Sequence, residues 1–307
     1  MFELTIIGGG PAGVAAGVYA SRKQLKTLFV TKEWGGQSTV SPDIQNWIGT
    51  PSIPGDKLAA DLKKHLEVYA SDYVAIKSNS LVTTITKNTE GFTVTLDSGD
   101  TFETKAILVA SGSKRRQLPA ANADIFEHKG LTYCASCDGP LFSGQAVVVI
   151  GGGNAAFETA AQLLAYAKSV TLLQRGTVYK ADPITVEKVL AHPNMTGILN
   201  AQVTEVSGNK FVSGLTYLDT VSNETKTLAT AGIFVEIGMI PNTSYLEGVI
   251  NLDEYKRVVI DPWTQKTNAP GIWAAGDCTN VLYHQNNIAA GDAVRALEDI
   301  YVTLKTK

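Results

Sequence analysis

The sequence predicts an α/β protein of two domains, the second inserted in the first. Its 307 residues exceed what one compact core of ordinary size holds, and they suit two domains. Two segments, 2–20 and 146–167, repeat one pattern, in which a short β-branched strand leads to a glycine cluster and an Ala-rich helix. The chain after Pro241 has no glycine cluster of this kind, which indicates that it returns to complete the first domain.

The first domain is predicted to comprise residues 1–114 and 247–307, and the second 115–246. In the first domain we expect strands at 27–30 and 106–110, a helix over 54–69, and an antiparallel excursion with segments at 81–85, 92–96 and 101–103. In the second we expect strands at 147–150, 170–173, 211–218 and 232–237. The C-terminal return segment, which completes the first domain, is expected to contain β-like segments at 257–260 and 272–275 and a helix over 287–304. The two crossings, near 113–116 and 246–248, form a natural hinge.

Composition excludes several classes of protein. Hydrophobic residues make up 44% and charged residues 18%, which is typical of a globular rather than a disordered chain. A net charge of −3 argues against a broad nucleic-acid surface, which needs dense Lys and Arg. No apolar stretch is long enough to cross a membrane, and the first residues do not resemble a signal peptide. We therefore expect a cytoplasmic protein.

The first glycine cluster, 8–13, fits G-x-G-x-x-G between a strand and a helix. Gly8 allows the tight turn, Gly10 lets the backbone approach a pyrophosphate, and Gly13 permits close packing of helix on strand. The start of the helix adds free N–H groups and the positive end of its dipole. The alternative is a glycine turn without a ligand. Of the residues after the second strand, Glu33 is the candidate for the ribose hydroxyls.

The second cluster, 151–156, fits G-x-G-x-x-A through Gly151, Gly153 and Ala156, with Asn154 and Ala155 at the helix start. An NAD site places an acidic residue near position 174, and an NADP site places arginines there. This sequence has Gln174, Arg175 and Lys180, so NADH and NADPH both stay open. The two loops together predict two Rossmann-like, three-layer ββα nucleotide-binding domains.

The stretch with the most chemical information is Tyr133-Cys134-Ala135-Ser136-Cys137-Asp138. Two thiols in C-x-x-C spacing can close a disulfide ring and exchange two electrons at a time. Asp138 is placed to donate or accept a proton. A zinc site is the alternative, but Cys278 and the four histidines show no paired ligand spacing, so we predict no metal. Cys278 is expected to be a small buried side chain.

These motifs resemble a known family. GGGPAG at 8–13, GGQ at 35–37, CASCDGPLF at 134–142, GGGNAAFETA at 151–160 and AAGDC at 274–278 stand in the order found in low-molecular-weight thioredoxin reductases. The resemblance covers essentially the whole chain. Its details are most similar to the reductase portion of the alkyl hydroperoxide reductase flavoprotein. That flavoprotein has a further N-terminal thioredoxin-like domain, which we do not expect here because the sequence begins at the first glycine loop.

The resemblance implies an FAD-dependent disulfide oxidoreductase that reduces a thioredoxin-like protein. Cys137 would face the flavin, Cys134 would attack the partner disulfide, and Asp138 would be the acid and base. The inserted domain would rotate on its two linkers, and the protein would be a homodimer. The residues implied at the FAD site lie mainly in the first glycine loop, in the turn 33–37 and around the start of the last helix; they are Gly8, Gly10, Pro11, Ala12, Gly13, Glu33, Gly35, Gly36, Gln37, Asn46, Gly112, Gly276, Asp277, Gln285, Asn286 and Ala289.

The electron donor is the open point of this interpretation. Where the family has His-Arg-Arg with a further Arg four positions on, this chain has Gln174-Arg175-Gly176 and Lys180, and His284 replaces a family Arg or Lys. NAD(P)H is the first expectation. Ferredoxin, or a second flavin at 151–156, are the enzymatic alternatives, and a flavin-bearing redox sensor without turnover is the alternative of another class.

Overall fold

The computed structural model describes residues 1–41 and 43–306, and the chain divides into two compact units. Unit 1 comprises Met1–Lys114 and Ile240–Lys307, and unit 2 comprises Arg115–Met239. The return to unit 1 thus begins at Ile240, earlier than the boundary at 246/247 expected from the sequence.

The elements follow in chain order. The first part of unit 1 contains β1 (Phe2–Gly9), α1 (Pro11–Arg22), β2 (Thr27–Trp34), α2 (Gly55–Ala70), β3 (Val74–Ser78), β4 (Val82–Lys87), β5 (Phe92–Leu96) and β6 (Thr101–Val109), then the crossing strand β7 (Ser113–Arg115). Unit 2 contains β8 (Leu131–Thr132), α3 (Ala135–Asp138), β9 (Ala146–Ile150), α4 (Asn154–Leu164), β10 (Ser169–Leu173), α5 (Pro183–Leu190), β11 (Met195–Ile198), β12 (Ala201–Gly208), β13 (Val212–Asp219), β14 (Glu224–Ala229) and β15 (Gly232–Val235). The return contains the second crossing strand β16 (Met239–Pro241), β17 (Ile272–Ala274) and α6 (Asn286–Lys305). Short 3-10 helices lie at Gly36–Val40, Asp124–Phe126, Gly139–Phe142 and Ser244–Leu246.

The sheet of unit 1 combines a parallel part with an antiparallel excursion. Parallel strands follow the order β3-β2-β1-β6-β17, and the first half of β6 also pairs antiparallel with β5 and through it with β4. The sequence predicted two strands where β6 is one. The strand continues because Thr104 pairs with Phe2 on one side and Phe92 on the other, and its buried hydroxyl donates to the carbonyl of Ala106.

Two apolar cores cover the two faces of this sheet. One core joins α1, α2 and α6 to the sheet; the other lies among the sheet, β4, β5 and the return segment. Helix α1 is mostly buried because small residues let it approach its neighbours closely: a Cβ atom at Gly17 would lie 2.9 Å from a methyl carbon of Leu66.

Unit 2 repeats the same three layers. Its sheet is parallel in the order β11-β10-β9-β15-β8, α4 and α5 pack on one face, and the antiparallel β12-β13-β14 covers the other. The β-branched run of β9 is buried on both faces, as the centre of a parallel sheet requires. The predicted α/β class with two Rossmann-like domains is confirmed.

The return segment differs from the prediction at 257–260, where the structure has no strand. Val258 forms only isolated bridges, to Leu252 and to Thr279, because the chain turns on both sides of it. The helix predicted over 287–304 is confirmed as α6. Within the described residues, no helix has both the length and the apolar composition that a membrane crossing needs.

Candidate functional site

The first glycine loop joins β1 to α1 by a turn that has no room for side chains. Gly8 has φ +124°, and a Cβ atom there would lie 2.1 Å from the carbonyl oxygen of Ala110. A Cβ atom at Gly13 would lie 1.8 Å from the carbonyl oxygen of Gly8, so the helix rests directly on the turn. At Gly10, by contrast, nothing lies within 4 Å of a Cβ position.

The free space at Gly10 lies at the start of α1. Gly10 is the N-cap residue and provides no side-chain cap, and Pro11 has no N–H of its own. The N–H groups of Ala12 and Gly13 therefore lack the helical partners that later turns have, and they point toward the open side of the loop. This geometry suits the pyrophosphate of a dinucleotide.

The turn after β2 lies against this loop. Gly35 and Gly36 both have positive φ, and a Cβ atom at Gly36 would lie 3.6 Å from the Cα atom of Gly10. Glu33 lies near the end of β2; its side chain is exposed, and its carbonyl oxygen lies 2.5 Å from a Cβ position at Gly9. Gln37 follows in the exposed 3-10 helix. The structure thus brings the predicted residues of the turn 33–37 next to the loop 8–13, and together the two form one side of a ligand cradle.

The start of α6 forms the opposite side of the cradle. A Cβ atom at Gly276 would lie 3.3 Å from the Cβ atom of Ala289 and 3.4 Å from that of Ala12, so this glycine fits between the first turns of both helices. The side chain of Asn46 donates to Gln285 at 3.0 Å, and Asn287 donates back to the carbonyl of Asn46 at 2.7 Å.

Further polar groups surround the start of α6. Ser38 donates to Asn286 at 3.2 Å. His284 Nδ1 lies 3.3 Å from Asp277 Oδ1, and this nitrogen is buried without a hydrogen bond to the described residues. Ser38 and Asn287 were not singled out from the sequence; the polar run 284–287 before an apolar helix is the signal that could have found Asn287. A buried ring nitrogen without a well-formed hydrogen bond, beside an uncapped helix start, fits a polar ligand, and the residues present fit FAD.

Gly112 lies at the first crossing, where its backbone forms a hydrogen bond with the thiol of Cys278. It has φ +64°, and its carbonyl accepts from the N–H of Asn242 at 3.0 Å, which pairs the two crossing segments. The neighbouring Ser111 adds a second hydrogen bond between the same two segments, because its hydroxyl donates to the carbonyl of Asn242 at 2.7 Å.

The second glycine loop repeats the first in unit 2. Gly151 has φ +147°, and a Cβ atom there would lie 2.3 Å from the carbonyl oxygen of Glu236 and 3.0 Å from the Cβ atom of Ala156. Gly153 is the uncapped N-cap of α4, and nothing lies within 4 Å of its Cβ position. Ala155 is exposed at the helix start. The side-chain oxygen of Asn154 already has a partner, because it accepts a hydrogen bond from the N–H of Asp182 at 2.8 Å.

Gln174 covers one side of the second loop. Its buried amide nitrogen donates to the carbonyl of Val178 at 3.2 Å, and a Cβ atom at Gly152 would lie 2.5 Å from it. Arg175 and Lys180 are exposed. The end of β10 therefore combines a neutral, fixed carboxamide with two cations in solvent, which suits either form of a pyridine nucleotide and has no carboxylate to repel a 2′-phosphate.

Glu236 follows β15 at the other side of the same loop, and it was not singled out from the sequence. Thr159 of α4 donates to its Oε1 at 3.0 Å. Burial raises the pKa of Glu236 to about 7, against the charge of Arg115 and the hydrogen bond from Thr159, while Glu158 acts in the same direction as burial. The signal that could have found it is an acidic residue within the otherwise apolar run 232–237.

The cysteine pair lies at the start of α3. Cys134 and Cys137 form a disulfide with their Cα atoms 5.3 Å apart, and both are half-buried. Thr132 connects this turn to the carboxyl group of Asp138, because its hydroxyl accepts from the N–H of Cys134 at 3.3 Å and donates to Asp138. The arrangement can store two electrons as a dithiol beside a carboxyl group.

Other titratable groups near these motifs are inert by comparison. Cys278 is fully buried in unit 1, and burial raises the pKa of its thiol to about 11. Tyr133, before the cysteine pair, donates to Glu127 at 2.6 Å, and burial raises the pKa of its phenol well above the ordinary value. Within residues 1–41 and 43–306, no group of three or more His, Cys, Asp or Glu side chains is arranged to hold a metal ion.

Comparisons with known proteins agree with this geometry. The family described as pyridine nucleotide-disulphide oxidoreductase matches residues 2–293. The F component of the alkyl hydroperoxide reductase of Escherichia coli K12 is 41% identical over 298 residues, which are 96% of this chain and 57% of that protein. An NADH dehydrogenase of Bacillus subtilis 168 is 35% identical over 295 residues, again 96% and 57%. The chain thus spans little more than half the length of these curated relatives.

Solved structures match over their whole length. Thioredoxin reductase from Streptococcus pyogenes MGAS5005 superposes with a TM-score of 0.91 at 30% identity, over 100% of this chain and 99% of that one. Thioredoxin reductase from Giardia duodenalis gives 0.92 at 29% identity, over 98% and 99%. These matches confirm the resemblance drawn from the motifs. The chain therefore belongs to the pyridine nucleotide-disulphide oxidoreductase family and has the fold of the thioredoxin reductases.

Proposed function

We propose that this protein passes electrons from NAD(P)H through FAD and the Cys134–Cys137 pair to the disulfide of a thioredoxin-like protein. The observation that supports this most directly is a half-buried C-x-x-C disulfide, followed at once by a carboxyl group, in the same unit as a dinucleotide loop. The relatives with known structures are thioredoxin reductases, which favours a protein disulfide as the substrate.

Each unit has its own part in this proposal. The cradle of unit 1 would hold FAD through the loop 8–13, the turn 33–37, Asn46 and the start of α6, with Asp277 near its ribityl chain. The loop 151–156 of unit 2, with Gln174, Arg175 and Lys180, would hold the pyridine nucleotide. When bound there, FAD would supply the two-electron chemistry that links a nicotinamide to a disulfide. The paired crossing segments, β7 and β16, are the proposed hinge.

The cysteine chemistry balances as two thiol–disulfide exchanges. Two electrons and two protons convert the Cys134–Cys137 disulfide to a dithiol, and Asp138 is the proposed carrier of one proton. The Cys134 thiolate then attacks the partner disulfide, which forms a mixed disulfide and releases one partner thiol. Cys137 attacks Cys134 in turn, so that the intramolecular disulfide re-forms and the second partner thiol leaves.

Anaerobic titration tests the donor. We expect NADH, NADPH or both to bleach the flavin absorbance of the purified protein. Bleaching by reduced ferredoxin alone would contradict the proposed donor and favour the ferredoxin-dependent alternative. A second flavin at 151–156 would appear as two moles of flavin per chain.

Turnover tests the cysteines. Catalytic amounts of the wild type should reduce a thioredoxin in the presence of the donor, and Cys134→Ser and Cys137→Ser should abolish this while FAD stays bound. Cys278→Ala is the matched control and should retain the activity. Wild-type turnover in either of the first two variants would contradict the assignment, and a protein that bleaches but never turns over would be a sensor instead.

A further inference from the structure

Glu236 is a half-buried carboxyl group that has no role in the electron path described above. It follows β15 directly, and its N–H donates to the carbonyl of Ile150 at 2.8 Å, which extends the pairing of β15 with β9 by one residue. The turn of the second glycine loop is built against its backbone, because a Cβ atom at Gly151 would lie 2.3 Å from its carbonyl oxygen. Its side chain therefore begins at the edge of the loop.

The strand order indicates which part of a dinucleotide would lie there. Strands β10 and β11 lie on one side of β9, and β15 and β8 on the other, so the order reverses at β9. A dinucleotide crosses the carboxyl ends of the strands at such a point, with its pyrophosphate on the glycine loop. The adenosine ribose belongs at the end of β10, beside Gln174. The nicotinamide half must then continue toward the end of β15, where Glu236 lies.

The two carboxyl oxygens of Glu236 are in different situations. Oε1 accepts the hydrogen bond from Thr159 at 3.0 Å, which fixes the direction of the side chain. Oε2 accepts no hydrogen bond from the described residues, and it keeps some contact with solvent. A carboxyl group fixed at one oxygen and free at the other is an acceptor in need of a donor.

We propose that Glu236 contacts the nicotinamide, with Oε2 accepting a hydrogen bond from the carboxamide –NH₂ group, and that Thr159 is the positioning residue that holds the carboxyl group for this contact. The inference rests on the proposed role of unit 2 as the pyridine-nucleotide domain. The ionised carboxylate also attracts the positive ring of the oxidised nicotinamide, which favours NAD(P)⁺ over the uncharged reduced ring.

This contact has a dependence on pH that its surroundings set. The charged groups that face the carboxyl group are Arg115, before β8, and Glu158, on α4. Burial outweighs the charge of Arg115, Glu158 adds to the effect of burial, and the pKa of Glu236 rises to about 7. The carboxylate is therefore the main form at pH 8, and the neutral acid is the main form near pH 6. We expect NAD(P)⁺ to bind more tightly at the higher pH.

Calorimetric titration of the oxidised holoenzyme separates this contact from the rest of the dinucleotide. NAD⁺ is compared with ADP-ribose, which has the same atoms except the nicotinamide; if NADPH proves to be the donor, NADP⁺ is compared with 2′-phospho-ADP-ribose. For Glu236→Gln at pH 8, the loss of a charge-assisted hydrogen bond should weaken the nicotinamide dinucleotide about five- to tenfold. The ADP-ribose form should bind unchanged. Glu187→Gln, an exposed glutamate on α5, is the matched control.

Variants of Thr159 test its positioning role independently of Glu236. Thr159→Val removes the hydroxyl that holds Oε1 and stabilises the charge, so the rise in NAD(P)⁺ affinity should move to higher pH; Thr159→Ser should restore the wild-type pH. Unchanged NAD(P)⁺ affinity in Glu236→Gln, or an equal loss for NAD(P)⁺ and for the ADP-ribose form, would overturn the inference. A wild type that binds neither dinucleotide would instead refute the proposed role of unit 2, so the two failures are distinguishable.

Discussion

The first glycine loop supports a prediction that separates folding from cofactor binding at two residues three positions apart. At Gly13, a Cβ atom would lie 1.8 Å from the carbonyl oxygen of Gly8, and that oxygen is a backbone atom that cannot rotate away. At Gly10, a Cβ atom would meet nothing within 4 Å, and its φ of −78° suits any residue. Gly13→Ala and Gly10→Ala therefore add the same methyl group to different environments.

The magnitudes follow from these distances. Overpacking costs about 1–3 kcal/mol, more where the neighbour is rigid, and alanine returns about 1 kcal/mol of helix preference. We expect Gly13→Ala to lower the free energy of unfolding by about 2–3 kcal/mol. For Gly10→Ala, the loss of a favourable N-cap glycine and the reduced entropy of the unfolded chain nearly cancel. Its flavin-free stability should stay within about 1 kcal/mol of the wild type.

For FAD affinity, Gly10→Ala should be the more damaging of the two substitutions. The proposed pyrophosphate occupies the space at Gly10, so a methyl group there should weaken FAD binding by at least about tenfold. Urea unfolding of the flavin-free proteins, followed by far-UV circular dichroism, measures stability, and quenching of flavin fluorescence measures affinity. The reasoning is refuted if Gly10→Ala binds FAD like the wild type, or if it unfolds at as little urea as Gly13→Ala.

Three further predictions concern unit 2 and the remaining thiol. Gln174→Glu should weaken NADPH by about tenfold or more and leave NADH nearly unchanged, because a carboxylate repels the 2′-phosphate; equal effects on both in a binding titration would contradict this. After reduction, iodoacetamide should label Cys134 and Cys137 but not Cys278, because burial raises its pKa to about 11; mass spectrometry locates the label. Because the pKa of Glu236 rises to about 7 on folding, this group lowers stability as pH rises from about 4.5 to 7; Glu236→Gln should exceed the wild type by about 2–3 kcal/mol at pH 8 and match it near pH 4.5, as urea unfolding at both pH values would show.

Local constraints explain what the sequence could predict. Gly8 and Gly151 can be recognised because the turn from strand to helix requires a positive φ there, and Gly13 because a Cβ atom would meet the carbonyl oxygen of Gly8; these demands arise within one strand–turn–helix unit. The same holds for the cysteine pair, whose ring is closed by a four-residue helix. Such features depend on neighbours in sequence, and a pattern of residue types carries them.

Long-range pairing explains what the sequence could not. Thr104 joins two expected strands into one because strands on both sides hold it, and Val258 fails to extend a strand because its partners are single residues of loops. Glu236 looks like a strand residue in the sequence. It becomes a titrating group only because β15 lies beside β9 and α4 brings Thr159 over it, and neither arrangement is written in its neighbours.

The two glycine loops show how one local design takes on different partners. Gly8 and Gly151 have similar φ, +124° and +147°, and each is closed against a backbone carbonyl of the neighbouring strand, that of Ala110 or of Glu236. The backbone contacts are thus interchangeable, and a pyrophosphate would meet nearly the same N–H groups in both. The side chains differ: alanine leaves the edge of the first loop apolar, whereas glutamate gives the second an acceptor whose charge changes near neutral pH. The residue that follows the neighbouring strand is therefore one source of difference between the two loops, in addition to the residues that follow β2 and β10.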